Sequence, residues 1–259
     1  MTALADRSLD VGQTDFTYRF DWGIEGLRAL APTADIVIIV DVLRFSSAVS
    51  AAVESGSTVF PYPWDSPSDA SLFAEQRGAA LAGMREDGNL SLSPTDLLSI
   101  EPGTRLVLPS PNGATLAFGA RDAGARRVLA GCLRNATATA LHARTRLDAQ
   151  SIAVIAAGER WGDGPLRPAV EDMLGAGAIL AALDPSGAVG GECCSPEARA
   201  ARAAFLDVRP RLFEAISASI SGRELIARGW EDDVATSSAL DVTTVVAELI
   251  DDAFVAAAP

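Results

Sequence analysis

The stretch Ile36–Gly56, IVIIVDVLRFSSAVSAAVESG, decides the fold. Five apolar residues, Ile36–Val40, read as a buried strand, and the strand ends abruptly on Asp41. Arg44, Ser46 and Ser47 follow, and from Ser46 to Ser55 the pattern is helical, with Gly56 as its stop. Strand, polar turn and helix in that order make half of a parallel crossover unit.

Working outward, the same grammar recurs. RLVLPSPNGATLAFGARDAG (105–124), RRVLAGCLRNATATALHAR (126–144) and SIAVIAAGERWGDGPLRPAVEDMLGAGAILAAL (151–183) each run from strand through polar loop to helix, the last helix starting at about Arg167. Upstream, FTYRF (16–20) alternates as a strand and IEGLRAL (24–30) is a short helix. STVFPYPW (57–64) is a second strand, residues 68–77 are helical, and 83–104 form a polar loop. From Pro196 the pattern is largely helical, broken near SGRELIARGWEDD and closed by VTTVVAELIDDAFVA. Strands alternating with helices predict a three-layer α/β/α domain with a mainly parallel or mixed central sheet. Residues 1–259 read as one domain, with 1–12 a loose lead. In such sheets ligands bind beyond the carboxyl ends of the strands. Asp41, Ser110–Gly113, Gly131–Asn135 and Glu159–Asp163 all stand at such ends.

Composition narrows the chemistry. The net charge is −13, which argues against nucleic acid or an anionic membrane as partner. All 21 basic residues are arginine, so neither a Schiff-base lysine nor a Walker lysine exists. The single histidine, His142, sits in a helical run and reads as a surface or half-buried side chain. Cys132, Cys193 and Cys194 form no disulfide framework and read as reduced thiols. With no leader-like or membrane-spanning stretch, a cytoplasmic location is expected. No dinucleotide fingerprint, D-x-D pair or H-E-x-x-H is present.

Four constellations remain. Asp41 could hold Mg2+, while Arg44 and the N–H groups of Ser46 and Ser47 could hold an anion at the helix start. The alternative is that Ser46 caps the helix and Asp41 pairs with Arg44. Asn112 and Gly113 could present an amide and N–H groups to an anion, or could simply make a turn. Glu171 and Asp172 point about 100° apart on a helix, so one could bind metal while the other braces a neighbour. The alternative is that both acids complement the helix dipole. Arg134 is a further anion donor, although helix capping by Asn135 explains that stretch more simply. Cys132 lacks the cradle of a cysteine phosphatase.

Taken together, VDVLRFSSAVSAAVESG, LPSPNGATLA, GCLRNATA and AAGERW…VEDMLGAGAI resemble the 2-phosphosulfolactate phosphatase (ComB) family, in the family's order, from about Phe16 to Leu249. SLSP (91–94), SGREL (221–225) and GWEDDV (229–234) are weaker echoes. The resemblance implies a Mg2+-dependent phosphohydrolase that converts 2-phospho-3-sulfolactate to 3-sulfolactate, in methanogens a step toward coenzyme M. Asp41, Arg44, Ser46 and Ser47 match its first motif, Asn112 and Gly113 the second, Glu171 and Asp172 the third. The chain departs from the pattern at Met84, where a glutamate is expected, and at Cys132, where a serine is expected. The Ala- and Arg-rich, Lys-free composition looks bacterial.

The expectation is therefore a Mg2+-assisted phosphatase acting on a small anionic phosphomonoester, with a homodimer left open. Asp41 is the first metal ligand and catalytic residue, Glu171 or Asp172 the second. Arg44, Ser46, Ser47, Asn112, Gly113, Arg134 and Arg160 bind substrate. A non-catalytic organic-phosphate or sulfonate binder, or a phosphotransferase, are the rival readings.

Overall fold

The computed structural model describes residues 11–63, 67–85, 90–145, 151–162, 164–185 and 193–258. Most of the expected loose lead, and Asp163, lie outside these residues. In chain order the elements are β1 (Tyr18–Trp22), α1 (Gly23–Leu30), β2 (Ile36–Val40), α2 (Phe45–Glu54), β3 (Thr58–Tyr62), α3 (Pro67–Gln76), β4 (Ala80–Leu81) and α4 (Pro94–Leu97). Then come β5 (Arg105–Pro109), α5 (Gly113–Asp122), β6 (Arg127–Gly131), α6 (Ala136–Thr145), β7 (Ile152–Ala156), β8 (Glu159–Arg160), β9 (Leu166–Arg167) and α7 (Val170–Leu183). The chain ends with α8 (Pro196–Val208), α9 (Leu212–Ser217), α10 (Ile220–Ala227), α11 (Glu231–Ser238), β10 (Ala247–Ile250) and β11 (Ala253–Ala256).

Among the described residues nine strands form one mixed sheet in the order β1-β7-β2-β6-β10-β11-β3-β5-β4. β2 is central to its half, paired in parallel with β6 and β7. Its side chains alternate between two cores. Val37 and Ile39 face a cluster built with α1, α2 and α5, while Ile36, Ile38 and Val40 face one built with α6, α7 and α8. Helices on both sides leave no polar alternation to show in the sequence, which is why five apolar residues run together. At about 1.5–3 kcal/mol for each fully buried aliphatic side chain, this strand anchors both cores.

The closing segment corrects the sequence reading. It is not helical: Ala247–Ile250 and Ala253–Ala256 make an antiparallel hairpin turning at Asp251, whose φ of 56° an aspartate tolerates. The hairpin lies between β6 and β3 and joins two parallel blocks, β1-β7-β2-β6 and β3-β5-β4. The expected break near SGRELIARGWEDD falls at 228–230, between α10 and α11, whereas α7 begins at Val170 rather than Arg167.

Three successive antiparallel pairings separate the blocks, so neighbours across the hairpin run in opposite senses. The segments that follow β2 and β5 nevertheless meet, at Asp41 and Gly113. No helix among the described residues is long and apolar enough to cross a membrane.

Candidate active site

The site begins where β2 stops. Asp41 donates its backbone N–H to Ser46 Oγ (3.0 Å), and that hydroxyl donates to the carbonyl of Ile39 (3.0 Å). Ser46 N–H in turn donates to the Asp41 carbonyl (2.8 Å), and Ser47 Oγ to that of Val42 (2.8 Å). Both serines are fully buried. They were expected at the substrate; the structure places them as struts that shape the turn. Arg44, not Ser46, stands at the N-cap of α2, without a side-chain cap bond.

The turn points the Asp41 carboxylate at two helix starts. Oδ1 accepts from Phe45 N–H (3.1 Å) at the head of α2, and Oδ2 from Gly113 N–H (3.1 Å) at the head of α5. Gly113 was also expected to touch substrate, but its N–H is spent here and on Ser110 Oγ (3.2 Å). A Cβ at Gly113 would overlap the Phe45 ring, so only glycine allows the two helix starts to converge on one carboxylate.

Helix α7 supplies the next pair. Asp172 Oδ1 accepts from Val42 N–H (2.7 Å), and Oδ2 from Gly158 N–H (2.8 Å), which ties the β2 and β7 loops together. Gly175, one turn on, permits the close approach: a Cβ there would come within 2.6 Å of Val42 and 2.9 Å of Val40. Glu171 is equally buried, yet no group among the described residues donates to it. The adjacent acids therefore divide their work as helix geometry requires, Asp172 bracing loops and Glu171 standing unpartnered.

Glu159, which sequence reasoning noticed only as a strand end, completes the acidic group. Its Oε2 accepts from Asn112 Nδ2 (3.0 Å). Asp41, Arg44, Ser110, Asn112, Glu159 and Arg228 line a cavity of about 210 Å3. Burial, reinforced by Glu159 and Glu171, lifts the Asp41 pKa to about 7 against the two N–H bonds that lower it. Burial first, then Asp41 and Glu171, raise Asp172 well above the usual carboxylate range. Glu159 is raised mainly by burial, with Asn112 and Arg167 opposing.

Arg44 does not pair with Asp41. Its Nη1 donates to Asp233 Oδ2 (2.7 Å), a fully buried carboxylate on α11 that sequence reasoning missed. The weak GWEDDV and SLSP echoes were its signal: Ser93 Oγ donates to Asp233 Oδ1 (2.5 Å). Two expected substrate arginines stand elsewhere. Arg134 is buried on Glu54 (2.7 Å), because Asn135 closes its turn by accepting Cys132 N–H (3.0 Å). Arg160, exposed on β8, lines a neighbouring cavity beside Trp22 and Leu166 that shares Asn112 and Glu159 with the first.

Oxygen-only donors are the set a hard divalent cation favours. Glu159 and Glu171 fit in chemistry; Asp41 and Asp172 each already accept an N–H on both oxygens and would offer a cation only their remaining lone pairs. Among the described residues, however, no three acids are gathered closely enough to cage an ion.

The family described as 2-phosphosulpholactate phosphatase matches residues 26–252, a span that holds every residue of the cavity. The chain is 30% identical over 207 residues to a Thermus thermophilus protein named probable 2-phosphosulfolactate phosphatase, covering 77% of this chain and 81% of that one. It is 31% identical over 205 residues to the 2-phosphosulfolactate phosphatase of Methanothermobacter thermautotrophicus, covering 77% and 80%. A match of that extent, running from α1 to the β10–β11 turn, shows descent as well as likeness: the chain belongs to the 2-phosphosulfolactate phosphatase family.

Proposed function

We propose that the protein is a Mg2+-dependent phosphatase that hydrolyses 2-phospho-3-sulfolactate, or a closely related 2-phospho acid, to the hydroxy acid and phosphate. The observation that supports this reading is a small cavity lined by the acids Asp41 and Glu159 together with the arginines Arg44 and Arg228, with the buried Glu171 near enough to help raise the Asp41 pKa. Hydrolysis of a phosphomonoester adds water at phosphorus and breaks the bond to the ester oxygen. The site must neutralise the phosphoryl charge and hold attacking and leaving oxygens in line.

Asp41 and Glu171 would hold Mg2+, an ion that needs only one or two carboxylates beside its waters, and when bound it would supply charge neutralisation at the phosphoryl oxygens. The remaining work belongs to side chains. Asp172 fixes the β2 and β7 loops so that Asp41 and Glu159 keep their places. Arg44 offers guanidinium N–H groups to the phosphate, and Asn112 orients Glu159. Glu159, half-buried with a raised pKa, accepts the proton of the attacking water.

The test is a phosphate-release assay with and without Mg2+ on 2-phospho-3-sulfolactate, 2-phospholactate and the phosphoglycerates. Mg2+-dependent release from the first, abolished in Asp41→Asn, is the expected outcome. Binding without release under any metal condition would leave a non-catalytic anion carrier, and release only with an added alcohol acceptor a phosphotransferase.

A further inference from the structure

The catalytic cavity shares Glu159 and Asn112 with a cleft of about 420 Å3, set between the head of α1, the head of α5 and the β8–β9 hairpin. The cleft walls are mostly apolar, built from Trp22, Ile24, Leu116, Ala157, Pro165 and Leu166. Leu166 is seated against two glycines. A Cβ at Gly158 would come within 2.7 Å of its Cδ1 and one at Gly23 within 3.2 Å. Both glycines hold a positive φ, 66° and 56°, that a larger residue resists. Backbone geometry thus fixes this wall.

The polar groups around the cleft are mostly spent. Thr115 Oγ1 donates to the Pro111 carbonyl (2.9 Å), and Glu25 pairs with Arg28 at the surface (2.6 Å). Arg160 is exposed, so solvent screens its charge. Asn112 gives its Nδ2 to Glu159 Oε2 (3.0 Å), and among the described residues no group donates to Glu159 Oε1. What remains is an apolar space with one open acceptor, at the end shared with the catalytic cavity. An anion would be repelled by that carboxylate. A neutral compound with a hydroxyl on an apolar body suits it: the O–H meets Oε1 and the body leaves water.

The position of Glu159 adds a role. In an in-line transfer the nucleophile and the leaving group stand on opposite sides of phosphorus. Glu159 takes the nucleophile's proton and so marks the nucleophile's side, and the cleft opens from that residue. We propose that the cleft is an acceptor site, and that the protein transfers phosphoryl groups to small apolar alcohols as well as to water. The alcohol oxygen bonds to phosphorus, its proton passes to Glu159 Oε1, and the ester P–O bond breaks. The departing hydroxy-acid oxygen keeps that electron pair and takes a proton from solvent. An alkyl phosphate then replaces inorganic phosphate as product. Water competes by its concentration, the alcohol by being held in place. The inference rests on the phosphatase reading for its phosphoryl donor and for Glu159 as base, but not for water as acceptor.

The test follows products by phosphorus NMR. Protein and Mg2+ are incubated with 2-phospho-3-sulfolactate or 2-phospholactate as donor, and with 2-phenylethanol, benzyl alcohol, ethanol or glycerol as acceptor. At equal alcohol concentration, the ratio of alkyl phosphate to inorganic phosphate should be at least about tenfold higher for the two aromatic alcohols than for ethanol or glycerol. Thr115→Phe fills the cleft from a half-buried position, and Leu166→Gln makes one wall polar. Each should lower the ratio for 2-phenylethanol at least about tenfold, while hydrolysis without alcohol stays within about threefold of wild type. Either variant reports where the other does not fold. Inorganic phosphate as the only product with every alcohol overturns this inference and leaves the hydrolase standing. Alkyl phosphate without any hydrolysis sinks the hydrolytic reading and sustains the acceptor site. Neither product from either donor sinks both. Transfer that runs as well to ethanol as to 2-phenylethanol, or that both variants leave unchanged, overturns the cleft as its seat.

Discussion

Gly113 donates its backbone N–H to Asp41 Oδ2 at 3.1 Å, although the two residues follow strands from opposite blocks of the sheet. This one bond locks the head of α5 onto the carboxylate at the end of β2. It exists because the Phe45 ring lies where a Gly113 side chain would be. Phe45 cannot easily yield, being fully buried and packed edge-on to Phe254 at 6.2 Å.

Gly113→Ala is therefore expected to cost about 1–3 kcal/mol, the usual scale for overpacking a core, and to lower kcat by displacing Asp41. Combining it with Phe45→Leu should recover part of the stability. Urea unfolding and initial rates on the same preparations would check both effects. A Gly113→Ala protein with wild-type stability and rate would show that the close contact is not restrictive.

Glu171→Gln and Asp172→Asn each remove one negative charge from the same buried cluster, so their electrostatic relief is similar. They differ in hydrogen bonding. Asparagine keeps one acceptor oxygen, which leaves the N–H of Val42 or Gly158 facing another donor. Glutamine at 171 breaks no such bond. Asp172→Asn should be less stable than Glu171→Gln by about 1–3 kcal/mol, the cost of a buried unpaired polar group. Glu171→Gln should be the more damaging to Mg2+ affinity, measured by calorimetry. The reverse ranking in both would exchange the roles of the two acids.

His142 and Cys132 should be dispensable for turnover. His142 Nε2 sits 3.6 Å from Glu248 of β10, and Cys132 is buried in the turn closed by Asn135, its thiol pKa raised by burial. His142→Gln and Cys132→Ser are expected to keep most activity. A loss beyond about a hundredfold in either would mark it as a general acid or base and displace the carboxylate mechanism.

These contacts also show what a linear sequence can carry. The strand–turn–helix units and the ends that bear Asp41, Asn112 and Glu171 were legible because periodicity and turn chemistry are local. The β10–β11 hairpin was not, since its strands are short and its place in the sheet is decided by β6 and β3 far upstream. Local reasoning also put Ser46, Ser47 and Gly113 at the ligand, because a helix start with free N–H groups looks like an anion site. The anion that takes two of those helix starts is the protein's own Asp41. Asp233 was hidden for a related reason: a buried acid among acids shows its purpose only when Arg44, 189 positions away, folds onto it.

The raised pKa of Asp41 sets a direction for stability against pH in the metal-free protein. In the unfolded chain Asp41 loses its proton near its ordinary value of 3.8, whereas folded it holds the proton to about pH 7. Between those values the folded state binds more protons than the unfolded one, so stability falls as pH rises through the window. Asp172 and Glu159 shift in the same direction and add to the slope. Thermal melts of chelator-treated protein should show Tm decreasing from pH 5 to pH 8. Asp41→Asn, which cannot titrate, should flatten that decline. Saturating Mg2+ should flatten it as well, because a bound cation favours the ionised carboxylates. A Tm that rises across this interval, or an Asp41→Asn slope equal to that of the wild type, would mean that Asp41 is ionised in the folded protein without help and that the cluster carries no unmet charge for a cation to offset.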